Sequence, residues 1–315
     1  MALRPASLSK LAHFLPGLAL AFSFFAPLRA AHDPADSQPI RVLIIDGWSN
    51  HDWKRTTQFV RAIIAPTGLF TVTVSTMPTK VTDPAYANWC PDFSKYDVVI
   101  QNYNNANGPD WPPPARIAFE HFVQNGGGVF ILHSANNAFA EWDAYNHIIG
   151  LGWRSKDYGT AIQIGPDESL IRIPPGQGES TSHGSREDRL IHRMGEDPIH
   201  AGMPRTWMTP LVEVYNYARG PAENLTIQSW AEDPKTSVRW PIEWTVTYGK
   251  GRVYCSSMGH VWLDETDPVD MRCVGFQIIL IRSLQWLAKR PVTFPIPVDF
   301  PAPDHTSLRP LPSLP

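Results

Sequence analysis

The sequence predicts an α/β protein built on a doubly wound, mainly parallel sheet, with helices on both faces and extra β elements in the C-terminal half. Two observations carry this. The first half alternates short apolar runs with amphipathic stretches, the pattern of βαβ units. The first of those runs, Ile-Arg-Val-Leu-Ile-Ile-Asp at 40–46, is almost continuously apolar, as a parallel strand buried on both faces must be.

The elements follow in order. Residues 53–64 have helical periodicity, with Trp53, Phe59, Val60, Ile63 and Ile64 on one stripe. Strands are predicted at 70–74 and 97–101, then a helix over 115–124 that starts after three prolines and stops at Gly126-Gly127-Gly128. Those glycines do not make a phosphate loop, because they follow a helix and precede the strand 129–132. They read instead as a helix cap and a tight turn. After residue 160 the alternation changes. A short hairpin is expected from 161–164 and 170–173, and a long polar surface loop over 176–196. Strands are expected at 211–217, 226–230, 243–248 and 252–257, and an apolar helix over 271–288.

The N-terminus reads as an export signal over 1–31: a basic start at Arg4 and Lys10, an apolar stretch over 14–28, and small residues Ala30 and Ala31 at the cleavage point. A polar leader (32–39), one α/β domain (40–290) and a proline-rich tail (291–315) complete the expected organisation. The expected location is secreted or periplasmic, with no membrane span in the mature chain. A formal net charge of -3 without long charged runs argues against nucleic acid as a partner. Cys90, Cys255 and Cys273 show no paired spacing; one disulfide is open, but the chain does not read as disulfide-built.

Ligands of open α/β sheets bind beyond the carboxyl ends of the strands, so residues just after predicted strands carry the most information. Trp48, Asn50, His51 and Asp52 follow the first strand, Asn102 and Asn104 the third, His133 and Ser134 the fourth, and His260 the last. Singly, a histidine at a strand end is usually a capping or backbone-bonding residue. Three of them, with Asp46, Asp52 and Glu213 as acidic candidates, make a pattern that suits a divalent metal, zinc first, held by His51, His133 and His260. The same groups suit metal-free acid–base work. Ser134 lacks the G-x-S-x-G elbow of a hydrolase nucleophile and reads as a helix N-cap. Twelve tryptophans, more than usual, suggest sugar stacking, although core packing accounts for most.

Several segments resemble the ThuA-like (trehalose utilisation) family of the class I glutamine amidotransferase-like superfamily. They are His51-Asp52-Trp53 with Thr56-Thr57, Tyr96-Asp97-Val98-Val99, the run from Gly126 to Ala135, Pro198-Ile199 through Gly202-Met203-Pro204, Glu213-Val214-Tyr215, and Tyr248 to Tyr254 leading to Gly259-His260. The resemblance implies a flavodoxin-like sheet and a role in carbohydrate metabolism. It also places His133 where amidotransferase relatives carry a nucleophilic cysteine, which rules out glutamine hydrolysis through a thiolate. Departures from the pattern are Asp197-Pro198 in place of His-Pro, and Val212 before Glu213; His183, His192 and His200 read as loop residues. The resulting expectation is an exported carbohydrate-active enzyme acting on a small sugar, glycoside or keto-sugar. His133, His260 and Glu213 would be catalytic, and Trp48, Asn50, Trp53, Asn104 and Trp262 would bind substrate. The alternative is a non-catalytic sugar-binding or sensing protein of the same fold.

Overall fold

Strand β1 (Ile40–Asp46) shows how the core is organised: Val42 and Ile44 pack to one face, Leu43 and Ile45 to the other, and all four are buried. The computed structural model describes residues 1–2 and 38–311, and residues 38–311 form one unit. Residues 3–31 of the expected export signal and 32–37 of the leader lie outside the described residues. After β1 come α1 (Trp53–Ile64), β2 (Phe70–Thr76), α2 (Pro84–Ala87), β3 (Val98–Gln101), α3 (Pro113–Gln124), β4 (Gly128–Leu132) and α4 (Asp143–Ile149). Asp52 caps α1 by accepting from the Arg55 N–H at 3.1 Å. The turn between α3 and β4 is the expected cap: Gly126 takes φ +115° and donates to Val123 O.

The C-terminal half adds β5 (Thr160–Ile164), β6 (Leu170–Ile173), β7 (Ser182–His183), β8 (Glu187–Arg193), β9 (Thr206–Val212), β10 (Tyr215–Asn216), β11 (Arg219–Gly220), β12 (Leu225–Glu232), β13 (Arg239–Tyr248) and β14 (Gly251–Ser256), then α5 (Val269–Arg272) and α6 (Val274–Leu287). The main sheet runs β2-β1-β3-β4-β14-β13-β12-β8-β9. The first five strands of that order are mutually parallel, and the antiparallel remainder is the predicted C-terminal extension. Helices α1 and α6 pack with the Val42/Ile44 face, and α3 and α4 with the Leu43/Ile45 face. No helix among the described residues is long and apolar enough to cross a membrane.

Four expectations need correction. The polar stretch 176–196 is not one loop, because Glu187–Arg193 pairs with both β9 and β12. Its side chains are polar where the strand faces solvent, so pairing overrides composition. His192 therefore sits on a strand, stacked on Trp230 at 3.8 Å, and not in a loop. The strand predicted at 211–217 breaks: Leu211 takes φ +48°, β9 ends at Val212, and Glu213-Val214 leaves the ladder before β10. The helix predicted at 271–288 also breaks, at Cys273, where the tail comes in to pair with it through Leu308. The rest of the described tail lies along the surface, with Phe294, Ile296 and Phe300 against the core. All three cysteines are free thiols, Cys255 and Cys273 buried and Cys90 exposed.

Candidate active site

Parallel register sets the site. Ser256 pairs with Leu132, so β4 and β14 end level, and the next residues, His133 and Ser257, are neighbours. The His133 Nδ1–H donates to Ser257 O at 2.6 Å, leaving the Nε2 lone pair free. The residue sits at φ +42°, a left-handed conformation that costs a non-glycine residue energy and is tolerated where the surroundings impose it. Three residues past β14, Gly259 turns at φ +91° with Leu132 and Phe276 so close that a Cβ would collide with both, and this turn delivers His260. The first loop is tied to the other two. Asp52 N donates to Val261 O at 3.0 Å, and Ser49 Oγ lies 3.2 Å from Ser134 Oγ. Ser134 lies inside a short 3-10 turn, His133–Asn137, and caps no helix, contrary to expectation.

The sheet thus brings His51, His133 and His260 together. Their ring centroids are 4.9–5.0 Å apart, and one ligand nitrogen from each lies within 4.8 Å of the others. Asn50 Oδ1 accepts from Asn104 Nδ2 at 2.8 Å and lies 3.0 Å from His51 Nδ1. That nitrogen is therefore the donor, and His51 presents Nε2. Glu213 comes from the break after β9: its carboxyl oxygens lie 3.6 Å from His133 Nε2, 3.4 Å from His260 Nε2 and 3.7 Å from His183 Nε2. His133 Nε2 and His260 Nδ1 are buried with no hydrogen-bond partner among the described residues.

Burial dominates the electrostatics. It pushes His51 down to about 4, with Arg186 and His183 adding repulsion, and His260 down to about 2. His133 falls well below the usual range through burial and its two histidine neighbours. Burial raises the carboxyl of Glu213, opposed by His183 and Arg186. Three neutral imidazoles beside a carboxyl held toward its protonated form are set to bind a cation or pass a proton.

Two cavities flank Glu213. One, of about 570 Å³, is lined by Arg186, His260, Leu263, Asp264 and Glu265; the other, of about 370 Å³, by Asn50, His51, Ala106, Asn137, Trp153 and Tyr215. His183, Glu213 and Trp262 line both. Trp262 is 46% exposed, stacked over His260 with ring centroids 5.9 Å apart. The sequence-predicted Trp48 and Trp53 line neither cavity. Trp48 donates to Ala106 O and packs on Gly108, Trp53 lies beside Lys54, and Asn104 acts through Asn50. Of the acidic candidates, Asp46 and Asp52 are structural: Asp46 accepts from Thr57 and Thr76 at 2.6 Å each, and Asp52 is a cap. Sequence reasoning missed His183 as a site residue, along with Trp153 and Glu265. His183 reaches Glu213 because β7 pairs with β10, Tyr215 opposite His183, and nothing local in the sequence announces that pairing.

Residues 41–286 match the ThuA family, described as trehalose utilisation. The chain belongs to the ThuA family. A protein of Parabacteroides merdae ATCC 43184 described as ThuA-like has 32% identity to it and a TM-score of 0.80, over 86% of this chain and 98% of that one. A second ThuA-like protein, from Bacteroides uniformis ATCC 8492, shares the fold at 17% identity and a TM-score of 0.51, over 79% and 92% of the two chains. No curated protein matches. Family membership links this ThuA protein to carbohydrate utilisation and accounts for the flavodoxin-like arrangement of its parallel strands.

Proposed function

We propose that this ThuA protein is an exported enzyme acting on a small sugar, glycoside or keto-sugar. Its centre is the His51–His133–His260 cluster, with a divalent metal, zinc first, as its ligand. The observation that carries the reading is the convergence of three buried imidazoles, one ligand nitrogen of each within 4.8 Å of the others and Glu213 beside two of them, with His133 Nε2 left without a hydrogen-bond partner among the described residues. Three histidine nitrogens and an open position suit zinc. The metal, when bound, supplies Lewis acidity toward a carbonyl or a water. Glu213, between the two cavities, holds or moves the proton at the sugar. Ser257 and Asn50 fix the imidazole tautomers, and Trp262 offers its face to the sugar ring. Residues 1–31 support the export reading.

Elemental analysis of the purified chain tests the centre, beside a His133→Ala, His260→Ala variant. One equivalent of zinc or another divalent ion in the wild type, lost in the variant, is the expected result. A wild type without metal, even after incubation with divalent ions, overturns the metal part and leaves metal-free acid–base chemistry by His133, His260 and Glu213.

A further inference from the structure

Two of the three histidines have their tautomers fixed by obvious acceptors: His133 by Ser257 O and His51 by Asn50 Oδ1. His260 has none in hydrogen-bond range, and its Nδ1 is buried without a partner among the described residues. Glu265 Oε2 faces it from 3.6 Å. We infer that Glu265 is the positioning residue of the site. Its carboxyl takes the Nδ1–H of His260, so that all three histidines present Nε2 to the same space.

Glu265 is itself held firmly. Its Oε2 accepts from Trp262 N at 2.9 Å, closing the turn that carries the exposed indole. Its backbone carbonyl accepts from the Arg55 guanidinium, which ties the turn to α1. Arg186 lies 3.8 Å from its other oxygen and 2.5 Å from Asp270. Chemistry decides the tautomer. A lone pair on Nδ1 would face a carboxyl oxygen across 3.6 Å in a buried setting, whereas a proton there faces an acceptor. On the opposite side of the ring, Nε2 faces Glu213 Oε1 at 3.4 Å and the cluster to which His51 and His133 already present their own Nε2. A small turn of the ring or of the carboxyl closes the gap to Nδ1. One carboxyl thus sets both the imidazole and the tryptophan beside it, an outer-shell arrangement that orients metal-binding histidines generally.

This inference rests on the three-histidine reading above, and its test separates the two. Long-range proton–nitrogen spectra of the full chain, labelled in histidine and free of metal, report each imidazole's tautomer; His260→Gln assigns the signal. The wild type should carry its His260 proton on Nδ1. Glu265→Gln keeps an oxygen for Trp262 N but turns an amide donor toward the ring, and should move the proton to Nε2. Zinc titrated alone should then bind Glu265→Gln and Glu265→Ala about 10–100-fold more weakly than wild type. A wild-type proton already on Nε2, or an unchanged tautomer in Glu265→Gln, overturns the assignment to Glu265. If the wild type takes no zinc, the metal reading fails, and the tautomer spectra alone decide the role of Glu265.

Discussion

Two buried histidine–carboxyl clusters share this sheet, and they are built on opposite principles. At the carboxyl edge, Glu213 lies beside His133, His183 and His260, and burial drives His51, His133 and His260 toward the neutral form. On the α1/α6 face, one fully buried histidine, His200, lies between two carboxyl groups, Asp197 at 2.8 Å and Glu243 at 3.5 Å. Burial opposes a charge on His200, yet its hydrogen bond to Asp197 and the negative carboxyl of Glu243 override it and raise the group to about 9. Ser229 donates to Glu243 at 2.7 Å. Excess imidazole leaves lone pairs that want a cation. Excess carboxyl around one imidazole supplies the cation from within. Identical residue types thus make an open cluster of imidazoles, the centre of the proposed function, in one place and a closed internal ion pair in the other, and the carboxyl-to-histidine ratio separates them.

The sharpest way to break this contrast is to remove the internal cation. His200→Ala leaves Asp197 and Glu243 buried without their partner and should cost about 3–5 kcal/mol in urea unfolding. Zinc binding at the carboxyl edge should be unchanged. Equal losses of stability and metal binding would show that the clusters are one system. The pH dependence has a definite sign. The folded value of His200 lies above its unfolded value of about 6.5, so its contribution is complete below that pH and is lost as pH rises toward 9. Stability should fall by up to about 1.4 kcal/mol per unit across that window. His200→Gln should flatten the slope; the depressed Asp197 adds nothing there, because it is already ionised in both states.

The opposite cluster should show its character only when metal is added. With free zinc at about 100 times its Kd, the wild type should gain about 2.7 kcal/mol. His51→Ala should keep metal-free stability close to wild type and lose most of that gain, read by thermal unfolding with and without zinc. A large metal-free loss would mean that the rings hold the loops together instead of waiting for an ion.

The fold was legible because parallel strands buried on both faces write themselves as apolar runs, and β1 and β14 came within a residue of their observed ends. The three histidines were legible for a related reason: each follows a strand whose carboxyl end the fold must bring to one edge. His183, Glu265 and the internal role of His200 were not. Each depends on a partner brought close by tertiary pairing, Tyr215 opposite His183 or Glu243 beside His200, and no local periodicity encodes it. The polar strand β8 was missed because its exposed face reads as loop.

A smaller effect should appear at the strained end of β4. His133 is held at φ +42°, where a left-handed backbone costs about 1–2 kcal/mol for a residue with a Cβ. His133→Ala keeps the Cβ and the strain, whereas His133→Gly removes both. The glycine variant should therefore be the more stable of the two metal-free proteins by about 1 kcal/mol, the reverse of the usual order in regular structure. An alanine variant equal to or above the glycine variant would place the origin of that conformation outside local strain.

The smallest effect on stability, and the most telling about ligand, belongs to Trp262. Nearly half exposed, its indole contributes little to the core, so Trp262→Ala should change unfolding by no more than about 0.5 kcal/mol. The ring lines both cavities and stacks over His260, so it is placed to contact a sugar held in either one. Calorimetric binding of a panel of small sugars and glycosides should weaken about 3–10-fold in the variant, equivalent to about 0.7–1.4 kcal/mol. Zinc affinity should be untouched, since Trp262 meets the histidines only through ring packing. If sugar affinity survives the substitution, the indole is a cover for the histidine cluster and the sugar is held elsewhere. If zinc affinity falls with it, the turn closed by Glu265 controls the cage as well as the platform, and the two sides of that carboxyl act as one.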